Sequence, residues 1–465
     1  MNRHCTILFT VGLVMSIVVA FVVIRQNVQR VSPPATTFQP SITPTRPVSE
    51  VTLLDIIQNK RWMVVFQNPY ELRATGGFWG TIGDLFISTD GHIQLTVRNV
   101  YDVDGPSEQF AQRLPKPPAP LQQYMKMDRW YLRDANWSPN FEEASRKGLE
   151  LYEIETARPS PYDGVIAVTP IILSDILHVI GPVVIDGERF DEHTALDTII
   201  ESVELNYAKR NTPFFRRKEI LEKLSIHLID TLKKLPSEQL LQLIQQFPRY
   251  QQERVIQLYA KDESTQQHIR RLGWSGRLQS NDGDYVFVVD SNLAAFKTDA
   301  VVKRSTQYSV TQPSGQFEVE LHLLYQHTKK VFDYRTTRYR SYTRVFVPIG
   351  STLLSSSGTL LDDRLHNPTL KEHPVDVTTV EGKTQIGFFI AIEPGDQREV
   401  ILRYRLPSTL SEQFYKAKTY SLLVQHQAGV PQRPLTLRVQ SVTTPKPPTV
   451  VKREGKVDEF ITVPL

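Results

Sequence analysis

The hydrophobic pattern of this chain changes its period near Tyr285, and a single architecture cannot accommodate both parts. In FFRRKEILEKLSIHLIDTLKKL, residues Ile220, Leu224, Leu228 and Leu232 recur at four-residue steps with charges between them, which predicts an amphipathic helix. That helical character runs from Thr194 to about Arg271. After Tyr285 the period becomes two. Residues 310–323, 338–347, 384–392 and 400–404 alternate or run apolar between polar turns, and 420–425 and 435–439 continue the series. Many short strands without an evident helix predict an all-β sandwich over residues 285–445, followed by a loose tail at 446–465.

Upstream of the change the pattern is mixed. The run WMVVFQ (62–67) is of strand type, and residues 85–88 and 93–97 flank Thr89-Asp90-Gly91, a hairpin turn signal. Residues 164–168 are a continuous apolar strand, as expected when both faces of a sheet are covered. Thr169-Pro170 then reads as a helix start, and IILSDILHVI ends at Gly181-Pro182. A further strand follows at 183–185. An α/β domain over 51–284, a mixed sheet with packed helices, is the fold class predicted there.

Residues 6–24 are nineteen positions without a charge, enough to cross a bilayer as a helix. The short basic start MNRHC also suits a signal peptide, but no small-residue cleavage site follows and Arg25 comes at once. We therefore expect a cytoplasmic tail at 1–5, a transmembrane anchor at 6–24 and a Pro/Thr-rich linker at 25–50, with the bulk extracytoplasmic. The first thirty residues hold three arginines and no acid, so of 54 basic and 50 acidic residues the remainder keeps 51 and 50. That balance lacks the basic footprint of a nucleic-acid binder. The single cysteine, Cys5, excludes an intrachain disulfide and a thiolate metal site.

Polar groups gather in LRDANWSPNF (132–141), where Arg133, Asp134 and Asn136 are fork donor, carboxylate and amide among Trp130, Trp137 and Phe141. The glycines at 76, 77, 80 and 83 fit neither nucleotide fingerprint, and close backbone packing explains them better. No H-E-x-x-H or G-x-S-x-G motif is present. What remains is Arg73, Arg98, Asp102, Asp104, Arg133 and Asp134 at strand ends and loops. Arginine forks hold phosphate bidentately, and carboxylates beside them can hold magnesium, the equipment of phosphoryl transfer. The plainer reading is an ion-pair network bracing the loop.

The segments LRDANWSPNF, DGVIAVTP, NPYELRATGGFWG and GDYVFVVDSNLAAFKTD resemble the bacterial domain-of-unknown-function family 4012 (DUF4012), from about Trp62 to about Val310. The order of RATGGFWGTIGDLFIS, HIQLTVRNVYDV and DGVIAVTPIILSDILHVIGPVVIDG is also similar to the LytR–CpsA–Psr family. Those proteins are membrane-anchored transferases of envelope glycopolymers from a polyprenyl pyrophosphate carrier. That resemblance implies a LytR–CpsA–Psr-like fold and a magnesium-dependent phosphotransferase. By position Arg73, and with a one-residue slip Arg98, match arginines of that family; with Arg133 and Asp134 of the polar cluster they would be the catalytic groups, and Asn136, Trp137, Phe78 and Trp79 would contact substrate. Asp102 and Asp104 would hold Mg2+. Asn99 stands where that family has an aspartate, and RATGG replaces its Arg-Ser-Asp run.

One more surface is legible. Arg338, Arg340, Tyr342 and Arg344 share a strand face that either meets an anionic glycopolymer or is simply solvated. Two functional classes follow: an envelope protein binding or transferring a polyprenyl-linked glycan, or a non-catalytic envelope scaffold or adhesion protein. Convergence of the arginines beside an apolar groove separates them.

Overall fold

The computed structural model describes residues 52–90, 92–213, 219–362, 375–440 and 447–465. The expected tail, anchor and linker at 1–50 lie outside the described residues. Among those described, no helix is long and apolar enough to cross a membrane.

The upstream part is built on a five-stranded mixed sheet. Its strands are β1 (Arg61–Asn68), β2 (Phe78–Ile87), β3 (Ile93–Asn99), β4 (Gly164–Val168) and β7 (Ile256–Ala260), in the order β3-β2-β1-β4-β7. β1 and β4 run parallel and the other neighbours antiparallel. Successive side chains of β1 point to opposite faces. Trp62 and Val64 join one apolar core with the helices Ile171–Ile180 and Glu219–Leu232, while Met63 and Val65 join another with the helix Phe141–Thr156. Helices therefore cover both faces, which is why β1 and β4 read as unbroken apolar runs. Gly164 is needed where β4 enters between β1 and β7, because a Cβ there would lie 2.1 Å from the Tyr259 carbonyl oxygen of β7 and 2.5 Å from the Trp62 ring of β1.

Three expectations are corrected here. β7 lies inside the stretch read as wholly helical; a five-residue apolar run carries too little periodicity to tell strand from helix. Residues Val183–Ile185 do not join the sheet but form a separate hairpin, β5 with β6 (Glu188–Phe190). Thr169 does not cap the following helix; its buried hydroxyl has no hydrogen-bond partner among the described residues.

The C-terminal part is mostly strands, in two six-stranded sheets. One has the order β12 (Thr352–Ser357), β15 (Gln397–Arg405), β10 (Glu318–His327), β9 (Val302–Thr311), β17 (Leu435–Val439) and β18 (Thr449–Arg453). The other runs β13 (Asp376–Val380), β14 (Lys383–Ile392), β11 (Tyr339–Pro348), β8 (Asp284–Asn292), β16 (Thr419–Gln425) and β19 (Glu459–Pro464). Their inner faces share one core, with Val286, Val345 and Ile390 from one sheet and Tyr308, Leu321 and Leu402 from the other. The residues read as a loose tail instead supply β18 and β19, an edge strand for each sheet. The helix Ser408–Ala417 interrupts the strands and packs Phe414 into their core, so the part is not purely β.

The two parts are joined through the loop after β1. Asn292 N–H donates to the Leu72 carbonyl, and Leu72 N–H donates to Asp299 Oδ2. Arg254 pairs with Asp458 from the last loop of the chain.

Candidate functional site

The loop between β1 and β2 turns back so closely that a Cβ on Gly77 would stand 2.4 Å from the Asn68 backbone. The glycines thus serve close packing, as their spacing suggested. The buried Asn136 amide holds this loop by donating to Thr75 Oγ1 (2.9 Å) and the Gly77 carbonyl (2.8 Å). Gln257 reaches the same loop from β7, donating to the Thr75 carbonyl at 2.7 Å.

On this loop Arg73 is 3 % exposed and fully engaged. Its guanidinium donates to the Asn292 carbonyl (2.8 Å) and pairs with Asp134 Oδ1 (3.2 Å) and Glu71 Oε1 (3.4 Å). The Phe78 ring lies 5.2 Å beneath it. Asp134 is shared: its other oxygen lies 3.5 Å from Arg133 Nε. Arg133 in turn pairs with the buried Asp104 at 2.7 Å and packs over Tyr131 (4.4 Å) and Tyr101 (5.4 Å). Arg73 and Arg133 therefore do converge, through a row in which charges alternate from Glu71 to Asp104.

Glu155, on the helix Phe141–Thr156, ends the row. It accepts from the Leu132 N–H at 2.7 Å and faces Asp104. Burial, with the Asp104 carboxylate next to it, pushes the Glu155 carboxyl up to about 9, and burial raises Asp104 as well. The pair is thus held around a shared proton at neutral pH. The folded chain keeps a proton that the unfolded chain releases above the ordinary glutamate range. Stability should therefore fall as pH rises through that range towards 9. In Glu155→Gln the side-chain amide can still accept from Leu132 and donate to Asp104, with no proton to lose. The substitution should flatten this slope in urea-unfolding midpoints measured at pH 5, 7 and 9; an unchanged slope would assign the proton elsewhere.

The other predicted residues are not gathered here. Arg98, on β3, meets Tyr152, donating to its hydroxyl at 3.0 Å. Trp79 is wholly buried in the core shared with Met63 and Val65, its indole N–H on Gln67. Trp137 stacks on Arg344 at 4.1 Å. Asp102 is exposed, whereas Asp104 is buried against Arg133 and Glu155. These two aspartates thus do not present their carboxylates together. Among the described residues no three potential ligands gather for a metal.

The face of Tyr342 and Arg344 on β11 is neither solvated nor open to a polymer. Tyr342 is buried beside Trp137 and Tyr124, and Arg344 donates to the Trp137 carbonyl at 2.7 Å. Arg340 reaches the Tyr124 carbonyl at 3.1 Å. Burial lowers Arg344 to about 10.

Phe78 opens a different view. It lines a cavity of about 380 Å³ on the opposite face of the sheet, together with Phe66, Leu173, Ile199, Val203 and Leu224. That volume suits a small organic ligand or a stretch of lipid chain. The polar end is marked by Glu71, Asn99, Tyr101, Glu204 and Lys297. Glu71 belongs to the charge row, and Tyr101 lies under Arg133. Sequence reasoning missed Lys297, Glu71, Glu155 and the helical wall. The signal for Lys297 was its place in LAAFKTD, within one of the segments that carried the family resemblance.

Residues 58–203 match a family model, that of DUF4012, described as a protein of unknown function. The DUF4012 segment contains β1 to β4, the whole charge row and most of the cavity wall. It ends before β8 and Lys297, which lie in the resembling segments but outside the match. No curated protein matches the chain.

Proposed function

We propose that this chain is a membrane-anchored, extracytoplasmic protein of the bacterial envelope that binds a phosphorylated, lipid-linked glycan. The observation that carries the reading is the apolar cavity that opens beside the charge row. A lipid chain would lie between Phe66, Phe78 and Ile199, and an anionic headgroup would meet Lys297, drawing it from Glu204, which lies 3.7 Å away. This extends the likeness to the LytR–CpsA–Psr family, with the anchor at 6–24 holding the folded part at the bilayer. Transfer is not part of the proposal. Arg73 is saturated by protein partners, Arg98 donates to Tyr152, and Asp104 is held by Arg133.

A purified full chain in detergent should bind a short polyprenyl phosphate more tightly than the neutral alcohol or inorganic pyrophosphate. Ile199→Trp, which fills the cavity, and Lys297→Ala should each weaken binding by about tenfold, the scale of one charge-assisted contact. The exposed control Lys452→Ala should bind like wild type. Protease added to intact cells should digest the folded part; its full protection would reverse the placement. A second reading, a scaffold without ligand, has one observation in its favour: Arg73 and Leu72 knit the loop to Asn292 and Asp299. Absence of lipid binding by the wild type would leave that reading standing.

A further inference from the structure

Beside the cavity mouth two loops display large apolar side chains to solvent. Phe296 is 59 % exposed on one, and Val331 (68 %), Phe332 (59 %) and Tyr334 (45 %) on the other. The loops are bound to each other. Phe296 bridges Thr336, Lys297 N–H donates to the Arg335 carbonyl at 2.9 Å, and Thr337 N–H donates to Thr298 Oγ1 at 2.9 Å. Asp333 fixes the second loop from within, accepting from the Arg335 N–H (2.9 Å), the Thr336 N–H (2.6 Å) and Lys329 Nζ (3.0 Å). Phe296 has φ +48°, a left-handed conformation that a bulky residue adopts only when its surroundings impose it. The chain thus builds a rigid support whose result is to hold aromatic and aliphatic groups in water. Such display is unfavourable unless something covers it.

We propose that this patch is a membrane-contact surface. The proposal rests on the lipid reading of the cavity, because Lys297 belongs to both: its backbone ties the two loops and its side chain lines the cavity. The helix Ala195–Glu201 continues the link. It walls the cavity through Leu196 and Ile199 and pairs Asp197 with Arg335 at 2.7 Å. At the base of the apolar tip Lys329 is paired with Asp333, and the exposed Lys330 beside it is where an anionic headgroup would be met. Apolar tips with a basic rim fit a bilayer interface, in which rings sit at headgroup level and lysine stems reach outward. Seated this way, the cavity mouth faces the bilayer and a lipid enters it without crossing water.

The test uses the full chain in vesicles of equal parts phosphatidylcholine and phosphatidylglycerol. Cys5→Ser with Val331→Cys gives a single site for an environment-sensitive fluorophore. Cys5→Ser with Val450→Cys is the control. Val450 is exposed on β18, opposite Arg438 and hence beside Ser309, whereas the patch adjoins the other end of that sheet, where Val302 pairs with His327. The probe at 331 should shift to shorter wavelength and lose roughly half its emission to brominated lipid, as interfacial insertion of about 5–10 Å implies. The probe at 450 should respond only to aqueous iodide. A probe at 331 that stays open to iodide and blind to brominated lipid overturns the proposal. So does shielding that depends on protein concentration without lipid, which would mean contact between copies. If 331 reports lipid while polyprenyl phosphate does not bind, the cavity reading fails and the patch stands; the reverse result removes the patch alone.

Discussion

Asp290→Ala should destabilise the chain by about 3 to 5 kcal/mol, the cost of stripping one partner from a buried ion cluster. Asp290 is wholly buried in β8 and receives Arg304 Nε (2.8 Å), Arg433 Nη2, Tyr325 Oη (2.8 Å) and Thr343 Oγ1 (2.8 Å). Burial opposes its ionisation, but Arg433 and Arg304 prevail and hold it below the usual aspartate range. Without the carboxylate, Arg433 keeps no acidic partner among the described residues and Arg304 keeps only Asp299. Asp290→Asn retains acceptor and shape but not charge, and should fall between wild type and alanine. Urea-unfolding midpoints decide the matter; a loss below about 1 kcal/mol would mean that the arginines find water or other acceptors.

Arg73→Ala should be nearly as damaging, about 3 kcal/mol. It leaves Asp134 buried with only the more distant Arg133, and it removes the donor to the Asn292 carbonyl. Arg98→Ala, whose partner is a tyrosine hydroxyl, should cost much less, about 1 kcal/mol. Because Asp134 is the group stranded, Arg73→Ala with Asp134→Ala should recover part of the loss, a coupling of about 1 to 3 kcal/mol. An arginine held ready for substrate would behave otherwise. Its loss would leave stability unchanged and touch binding alone, and that outcome would make Arg73 a ligand-binding group.

The sequence foretold the elements better than their neighbours. Residues 164–168 and 171–180 were legible because an apolar run and a bounded helical pattern are local properties. The edge strands β18 and β19 were not, since edge strands carry charges that read as tail. Even so, Ile461 and Val463 alternate with exposed residues in EFITVP, the two-residue period of a strand with one covered face. At the site, the polar segment 132–141 did mark where Arg133, Asp134 and Asn136 converge. Glu155 and Asp290 escaped because their meaning lies in partners far along the chain. The visible trace of Asp290 was one acid inside the apolar run YVFVVDS. Trp79 lies in the core because an aromatic near a glycine loop does not reveal which side of a sheet it enters, and Trp137 packs on Arg344, a partner far along the chain.

The pairing of β8 with β16 and of β9 with β17 has a bearing on biogenesis. Each is a parallel pair in the interior of its sheet, and in each the second strand follows more than a hundred residues after the first. Closing such long loops is entropically slow, and neither sheet can be completed until the end of the chain has emerged. Asn292 and Asp299, which clamp the loop carrying Arg73, depend on those late sheets for their own placement. The upstream part would therefore leave the ribosome, and any translocation channel, with its loop unclamped. A chaperone that shields the strands β8 and β9 during this interval would act on the assembly of the whole molecule, not of its C-terminal part alone.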